Sequence, residues 1–240
     1  QVKDLKDFEV QKTYISGQLV SSNGKSLLSS EPTHCPNNFP INSKQAKDFR
    51  LVSKHKNIRV IVAEDGQLVT SEKIVPAKSI DGLLVSDVER DILKIAVVNR
   101  YHPSPVALSF VQNFGLKEGA IASSVAHDSH NIIVVGVDDQ SICRAVNLII
   151  ENKGGVAAIS KNREELLSLP VAGLMSNEDG YQVANKYIAV DAMAKSLGSQ
   201  LSAPFMTLSF MALLVIPSLK LSDKGLFNGN LFEFVSPFSD

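Results

Sequence analysis

Two apolar runs, residues 120–126 and 132–137, stand on either side of His127-Asp-Ser-His-Asn131. The runs read as a strand pair, so the polar cluster must fall at their junction. A buried polar side chain without a hydrogen-bond partner is costly. Whatever the chain folds into must therefore place two histidines, an aspartate and an asparagine beside a hydrophobic core and still satisfy them.

With 240 residues the chain is long enough for one large domain, or one domain carrying a small attached piece. An apolar content of 44% is that of an ordinary globular core. The net charge of −1 and near-neutral pI give no basic footprint, so no nucleic-acid partner is expected. Cys35 and Cys143 lie far apart, which suits a reducing, cytoplasmic setting better than a disulfide framework. No basic stretch followed by an apolar one opens the chain, so no signal peptide is expected. The longest apolar run, 208–216, falls well short of the ~20 residues of a membrane helix. It reads as a buried strand or core segment, and no membrane partner is expected.

Organisation follows from turn signals and periodicity. Apolar residues flank Ser16-Gly17, and Asn23-Gly24 marks a second tight turn, so the opening residues read as a small β-hairpin unit. Residues 28–47, with Pro32, Pro36 and Pro40, read as a linker. His34-Cys35 within it lacks the second ligand pair a zinc site needs, and reads as an exposed loop. Strands are expected at 49–52, 58–62, 68–69 with 74–75, 92–98, 106–110, 156–159 and 166–169. One helix should begin at an Asp138 or Asp139 cap, bury Ile142, Val146, Ile149 and Ile150, and end at Gly154-Gly155. A second should run over 178–197 with Val183, Tyr187, Val190, Ala194 and Leu197 on one face, stopping at Gly198. Two more strand-like segments, 206–216 and 231–235, complete the chain. The expectation is an α+β fold: a mixed or antiparallel sheet with two long helices, preceded by the hairpin unit.

The polar cluster supports more than one chemistry. Imidazole and carboxylate groups serve as acid–base groups or metal ligands, which makes His127, Asp128 and His130 catalytic candidates. A catalytic zinc site takes three protein ligands, which these residues could supply only in a favourable loop. The same residues could equally form a turn in which Asp128, Ser129 and Asn131 satisfy backbone groups. Arg100, at a strand end with Tyr101 and His102, carries a planar donor fork suited to carboxylates, phosphates or aromatic faces. Arg100, Ser123, Ser124 and Asn131 are candidate substrate contacts. Ser123-Ser124 is not a nucleophile elbow, and Gly154-Gly155 is not a phosphate loop.

Several ordered motifs carry a resemblance. They include Asp91-Ile-Leu-Lys-Ile-Ala-Val97, the segment from Gly119 to Asn131, Ala172-Gly-Leu-Met-Ser176, Pro204-Phe-Met-Thr-Leu-Ser-Phe210 and Asp223-Lys-Gly-Leu226. Together they resemble the C-terminal region of bacterial adenine deaminases, members of the metal-dependent amidohydrolase superfamily. The resemblance implies a parent enzyme that hydrolyses adenine to hypoxanthine and ammonia. It implies that manganese or iron sits in an upstream barrel absent from this chain, and that this chain holds no cofactor. No His-x-His pair of the kind that opens such a barrel site occurs here, nor does an eight-fold strand–helix alternation. Residues 1–27 would then be a remnant of the β-sandwich beside the barrel, 28–47 the linker and 48–240 the C-terminal domain. The implied partners are that barrel, adenine and further copies in a homo-oligomer. The portion would support the active site or the oligomer without being catalytic alone. A purely structural domain, or a purine-binding module, are the alternative readings.

Overall fold

The computed structural model of the chain describes residues 1–29, 34–52 and 55–239. Pro32 and the neighbouring part of the expected linker lie outside the described residues. Two compact units emerge, Gln1–His34 and Cys35–Asp240.

In the first unit, β1 (Lys12–Ile15), β2 (Gln18–Ser22) and β3 (Lys25–Ser26) form an antiparallel sheet. Both connections are two-residue turns with positive φ at each position: Ser16 (48°) with Gly17 (78°), and Asn23 (47°) with Gly24 (75°). Backbone twist of that hand suits a tight hairpin, and glycine adopts it without a Cβ penalty.

The second unit continues with β4 (Leu51–Val52), β5 (Asn57–Ala63), β6 (Thr70–Pro76), β7 (Ser79–Ile80) and β8 (Leu83–Leu84). Next come β9 (Ile92–Val98), β10 (Ala107–Gln112), β11 (Ala120–Ser123), β12 (Ile132–Gly136), α1 (Asp139–Glu151), β13 (Gly155–Ile159) and β14 (Glu164–Ser168). The unit ends with α2 (Gly180–Ser196), α3 (Pro204–Phe210), β15 (Leu219–Ser222), β16 (Gly225–Asn228), β17 (Glu233–Phe234) and β18 (Phe238–Ser239). The main sheet has the order β14-β13-β11-β12-β9-β10-β5-β18, with β6 paired to β5. The β5–β10 pair is parallel while the neighbouring pairs are antiparallel, so the sheet is mixed. The α+β expectation holds.

Both faces of this sheet are covered. Every residue of β9, β11 and β12 is buried. Alternate positions diverge, as a strand period of two requires. Ala96, Ala120, Ala122, Val134 and Ala157 face α1, whose Ile142, Val146 and Ile149 pack on them. Ile95, Val97, Ile121, Ile133 and Val135 face α2, α3 and β15–β16. Asp138 caps α1 by accepting from the Ser141 amide at 2.8 Å, as expected for an aspartate at that position. In α2, Val190, Ala194 and Leu197 are buried as expected, while Tyr187 is partly exposed with its ring edge against Phe205.

Four expected strands differ, the first because Leu68 and Val69 precede β6 instead of forming part of it. Residues 206–216 do not form a strand: Pro204–Phe210 is the helix α3, followed by turns. Pro204 occupies the first helical turn, where its missing N–H costs nothing, and Phe205 and Leu208 are buried while Met206 is exposed. A short apolar run does not reveal its own period, and the proline was the deciding signal. At 49–52 only Leu51–Val52 is strand, because a short 3-10 helix, Ala46–Phe49, takes Phe49 into the core. At 231–235 only Glu233–Phe234 pairs. Within the stretch read as linker, Asn37 donates to the carbonyls of Lys153 (2.6 Å) and Pro170 (2.9 Å), and Ile41 is buried. Residues 36–41 are therefore held on the second unit by specific contacts. His34 is exposed.

Candidate functional site

The antiparallel β11–β12 pair is joined by residues 124–131, and β9 ends beside that junction at Asn99, Arg100 and Tyr101. The sheet thus gathers all seven candidate residues at one end. Their side chains fall into two sets.

The first set is buried and bonded to the protein. Ser123 Oγ accepts from the Val125 amide at 2.9 Å. Ser124 Oγ donates to the Gly173 carbonyl at 2.6 Å and accepts from the Gly155 amide at 2.8 Å. Asn131 Oδ1 accepts from the Arg100 amide at 3.2 Å, and Nδ2 donates to Ser129 Oγ at 3.2 Å. Arg100 is 3% exposed. Its guanidinium lies over the Tyr101 ring (4.7 Å) and the Phe39 ring (5.1 Å), so aromatic faces replace a carboxylate partner. Nη2 donates to the Ala172 carbonyl and to Tyr101 Oη, both at 2.9 Å, and Tyr101 Oη donates to the Ser129 carbonyl at 3.0 Å. Nε and Nη1 of Arg100 are buried without a hydrogen-bond partner among the described residues. Nη1 packs so closely on Gly173 that a Cβ there would sit 2.0 Å from it, and Gly173 also has φ of +70°. Glycine is required at 173 on both counts.

The second set faces outward. His127 is partly buried, with its ring stacked on Phe210 at 4.9 Å and its amide donating to the Ser209 carbonyl at 3.1 Å. His130 meets the His127 ring edge-on at 5.6 Å, and its amide closes the turn onto the Ala126 carbonyl at 2.7 Å. Burial, reinforced by the neighbouring His127 and Arg100, lowers the His130 imidazole below the ordinary 6.5 against the opposing pull of Asp128. Its Nδ1 is buried without a hydrogen-bond partner among the described residues. Asp128 is exposed beside an open pocket of about 340 Å³.

The chain matches the family model of the adenine deaminase C-terminal domain over residues 67–233. It is 51% identical over 235 residues to an adenine deaminase of Sulfurovum sp. (strain NBC37-1), covering 98% of this chain and 43% of that protein. It is 49% identical over 253 residues to one of Methanosarcina mazei, covering 100% and 45%. The chain belongs to the adenine deaminase C-terminal domain family. It spans less than half the length of the curated relatives it matches.

For an adenine deaminase domain the question of metal is immediate. Among the described residues no group of three or more His, Cys, Asp or Glu side chains is placed to hold a metal ion. No helix among the described residues is long and apolar enough to cross a membrane.

Three residues at this end of the domain escaped the sequence reading. Asn99, 6% exposed, accepts from the Tyr101 amide (2.9 Å) and the His102 amide (3.1 Å) through Oδ1 and donates to Asp223 at 2.8 Å. Asp223 and Lys224 lie on the β15–β16 turn and line the same pocket as Asp128. A contact across 124 positions has no local signature, and the Asp223-Lys-Gly-Leu226 motif carried family resemblance only.

Proposed function

We propose that this chain is the C-terminal portion of an adenine deaminase whose complete polypeptide hydrolyses adenine to hypoxanthine and ammonia. The single observation behind this reading is the 51% identity sustained over 98% of the chain. In this reading the chain supports the active site or the oligomer and is not catalytic alone. An upstream amidohydrolase barrel of the same polypeptide holds manganese or iron, adenine is the substrate, and the enzyme is a cytoplasmic homo-oligomer. Residues 1–27 belong to the β-sandwich beside the barrel, 28–47 form the linker and 48–240 the C-terminal domain. The outward set His127, Asp128 and His130 reaches toward the substrate pocket, while Arg100, Ser123, Ser124 and Asn131 hold the loop that carries it.

The test uses the complete polypeptide. Replacing His127 and His130 together by Asn should lower kcat/KM for adenine by about tenfold or more, the scale of one lost contact of ~1.4 kcal/mol. Unchanged kinetics would remove the loop from the active site. The 240-residue chain by itself should neither deaminate adenine nor bind metal stoichiometrically.

A second, purely structural reading has its own support: the bonds of Ser123, Ser124, Asn131 and Arg100 are spent on the protein itself. Under it, the histidine replacements would lower Tm and leave kcat/KM alone.

A further inference from the structure

Helix α2 does not follow the plan of a surface helix. One side packs on the core through Val190, Met193, Ala194 and, just past its end, Leu197. The opposite side of such a helix is ordinarily polar. Here Tyr181, Ala184, Ile188 and Ala192 run along it at spacings of three and four residues, and all are exposed. Tyr181 and Ile188 are 55% and 64% exposed. Met206 of α3 is exposed too, and Phe205 beside it meets the Tyr187 ring edge-on, so the apolar surface continues toward α3. A contiguous apolar surface of this kind marks a contact with another macromolecule.

The order of residues along this face says what covers it. Ile188 sits at the centre, with Ala184 four residues before it and Ala192 four residues after it. Tyr181 stands seven residues before and Lys195 seven after. Under a two-fold axis through Ile188, an antiparallel copy of α2 sets Ile188 against itself and Ala184 beside Ala192 of the second copy. The alanines let the helix axes approach to about 8–10 Å. Tyr181 then meets Lys195 of the second copy, an aromatic face opposite a cation. Asn185 meets Asp191 of the second copy, an amide donor opposite a carboxylate acceptor. The face carries no unbalanced charge to repel its own copy: Lys195 pairs with Asp191 at 2.7 Å, and Lys186 with Glu178 at 2.6 Å.

We infer that the outer face of α2 is a homodimer interface, in which α2 packs antiparallel on α2 of a second copy about a two-fold axis at Ile188. An upstream segment of the same polypeptide would need only an apolar surface. It gives no reason for residues to complement one another in pairs about one point, whereas an isologous contact requires that match. The inference gives the homo-oligomer reading above a surface and a symmetry, and rests on that reading only for the existence of a second copy.

The symmetry makes the test specific. In the complete polypeptide a cysteine on the axis faces its own copy. Ile188→Cys should therefore give a disulfide-linked dimer under mild oxidation, above the level of wild type with its native Cys35 and Cys143. Ala184→Cys and Ala192→Cys should each stay unlinked alone and should link to each other when co-expressed. Ile188→Lys, at an exposed position, should raise the dimer dissociation constant at least tenfold in sedimentation equilibrium, with the far-UV circular dichroism unchanged. An Ile188→Cys thiol that stays unlinked and reacts freely with maleimide would mean an uncovered face. One that stays unlinked but protected would mean that the upstream portion covers α2. Either result, self-linking of Ala184→Cys, or a dimer affinity untouched by Ile188→Lys overturns the inference. Adenine turnover is measured on the same polypeptide. Its absence sinks the deaminase reading and leaves the cross-linking result to stand or fall alone.

Discussion

The two faces of the main sheet are built on different plans. The α1 side is one long amphipathic helix laid on small residues, Ala96, Ala120, Ala122 and Ala157. The opposite side is a patchwork of α2, the short α3 and the β15–β16 hairpin over larger residues such as Ile95, Ile121 and Ile133. Each side also buries a lysine. Lys94, 2% exposed, pairs with Asp139 in the first turn of α1 and donates to the Phe49 carbonyl at 3.0 Å. Lys220 is fully buried and donates to two carbonyls, Leu68 at 2.6 Å and Phe210 at 3.0 Å. A regular helix lets one carboxylate answer the charge. A patchwork uses the charge to answer backbone carbonyls left open at the end of a short helix.

The largest effect should come from breaking the ion pair. Asp139→Ala leaves the Lys94 ammonium buried with one carbonyl, and removing one partner of a buried pair costs about 3 kcal/mol or more. Urea unfolding should show that loss in the midpoint with an unchanged m-value. A loss under 1 kcal/mol would mean that Lys94 is hydrated and that the two lysines are not different in kind. Next in size is Ala122→Leu, which inserts a large side chain between β11 and α1. Overpacking of this kind costs roughly 1–3 kcal/mol, and the same measurement reads it. A neutral outcome would show that α1 can lift away and that the small residues do not set its distance.

Lys220→Met sharpens the contrast. The apolar stem is kept, and the carbonyls of Leu68 and Phe210 lose a donor, at a cost of about 1–2 kcal/mol near neutral pH. Burial lowers the Lys220 pKa from 10.5 to about 8. A base with a lowered pKa releases its proton first in the folded state. Between about pH 8 and 10.5 the unfolded chain therefore holds more protons, and stability rises with pH across that window. The difference between wild type and Lys220→Met should grow there, in favour of wild type, and be flat below pH 7. A difference that shrinks on raising pH would show that the ammonium is stabilised where it sits.

The same contrast governs what the sequence reveals. The α1 face was legible because its signals are local: an aspartate cap, a run of Ile and Val at helical spacing, and glycines at the end. Strands β9, β11 and β12 were legible as dense apolar runs, interrupted in β9 by Lys94 alone. The other face was not. Helix α3 hid inside an apolar run, and it is fixed by distant groups, since its end carbonyls Ser209, Phe210 and Met211 receive the His127 amide, Lys220 Nζ and the Leu221 amide. The candidate site divides along the same line. The β11–β12 cluster stood out as polar residues between apolar strands, whereas Asn99, Asp223 and Lys224 join it only through the return of β15 and β16.

The smallest effect belongs to the outer surface of α1, where Arg144 grips Glu164 of β14 with two bonds of 2.6 and 2.7 Å and also reaches Glu151 at 3.0 Å. The Arg144 bond, opposed by partial burial, lowers the Glu164 carboxyl below its usual 4.5. A carboxylate with a depressed folded pKa contributes above its unfolded pKa, and the contribution fades as pH falls through the folded value. Arg144 and Glu164 side chains are 42% and 38% exposed, so solvent screens most of the attraction. Glu164→Gln should therefore cost under about 1 kcal/mol at pH 7, less at high salt, and the cost should fade in acid as the Glu164 carboxylate takes up its proton. A loss rivalling that of Asp139→Ala would mean that α1 is clamped to the sheet by its edge as firmly as by its buried end, and that this face too is a patchwork.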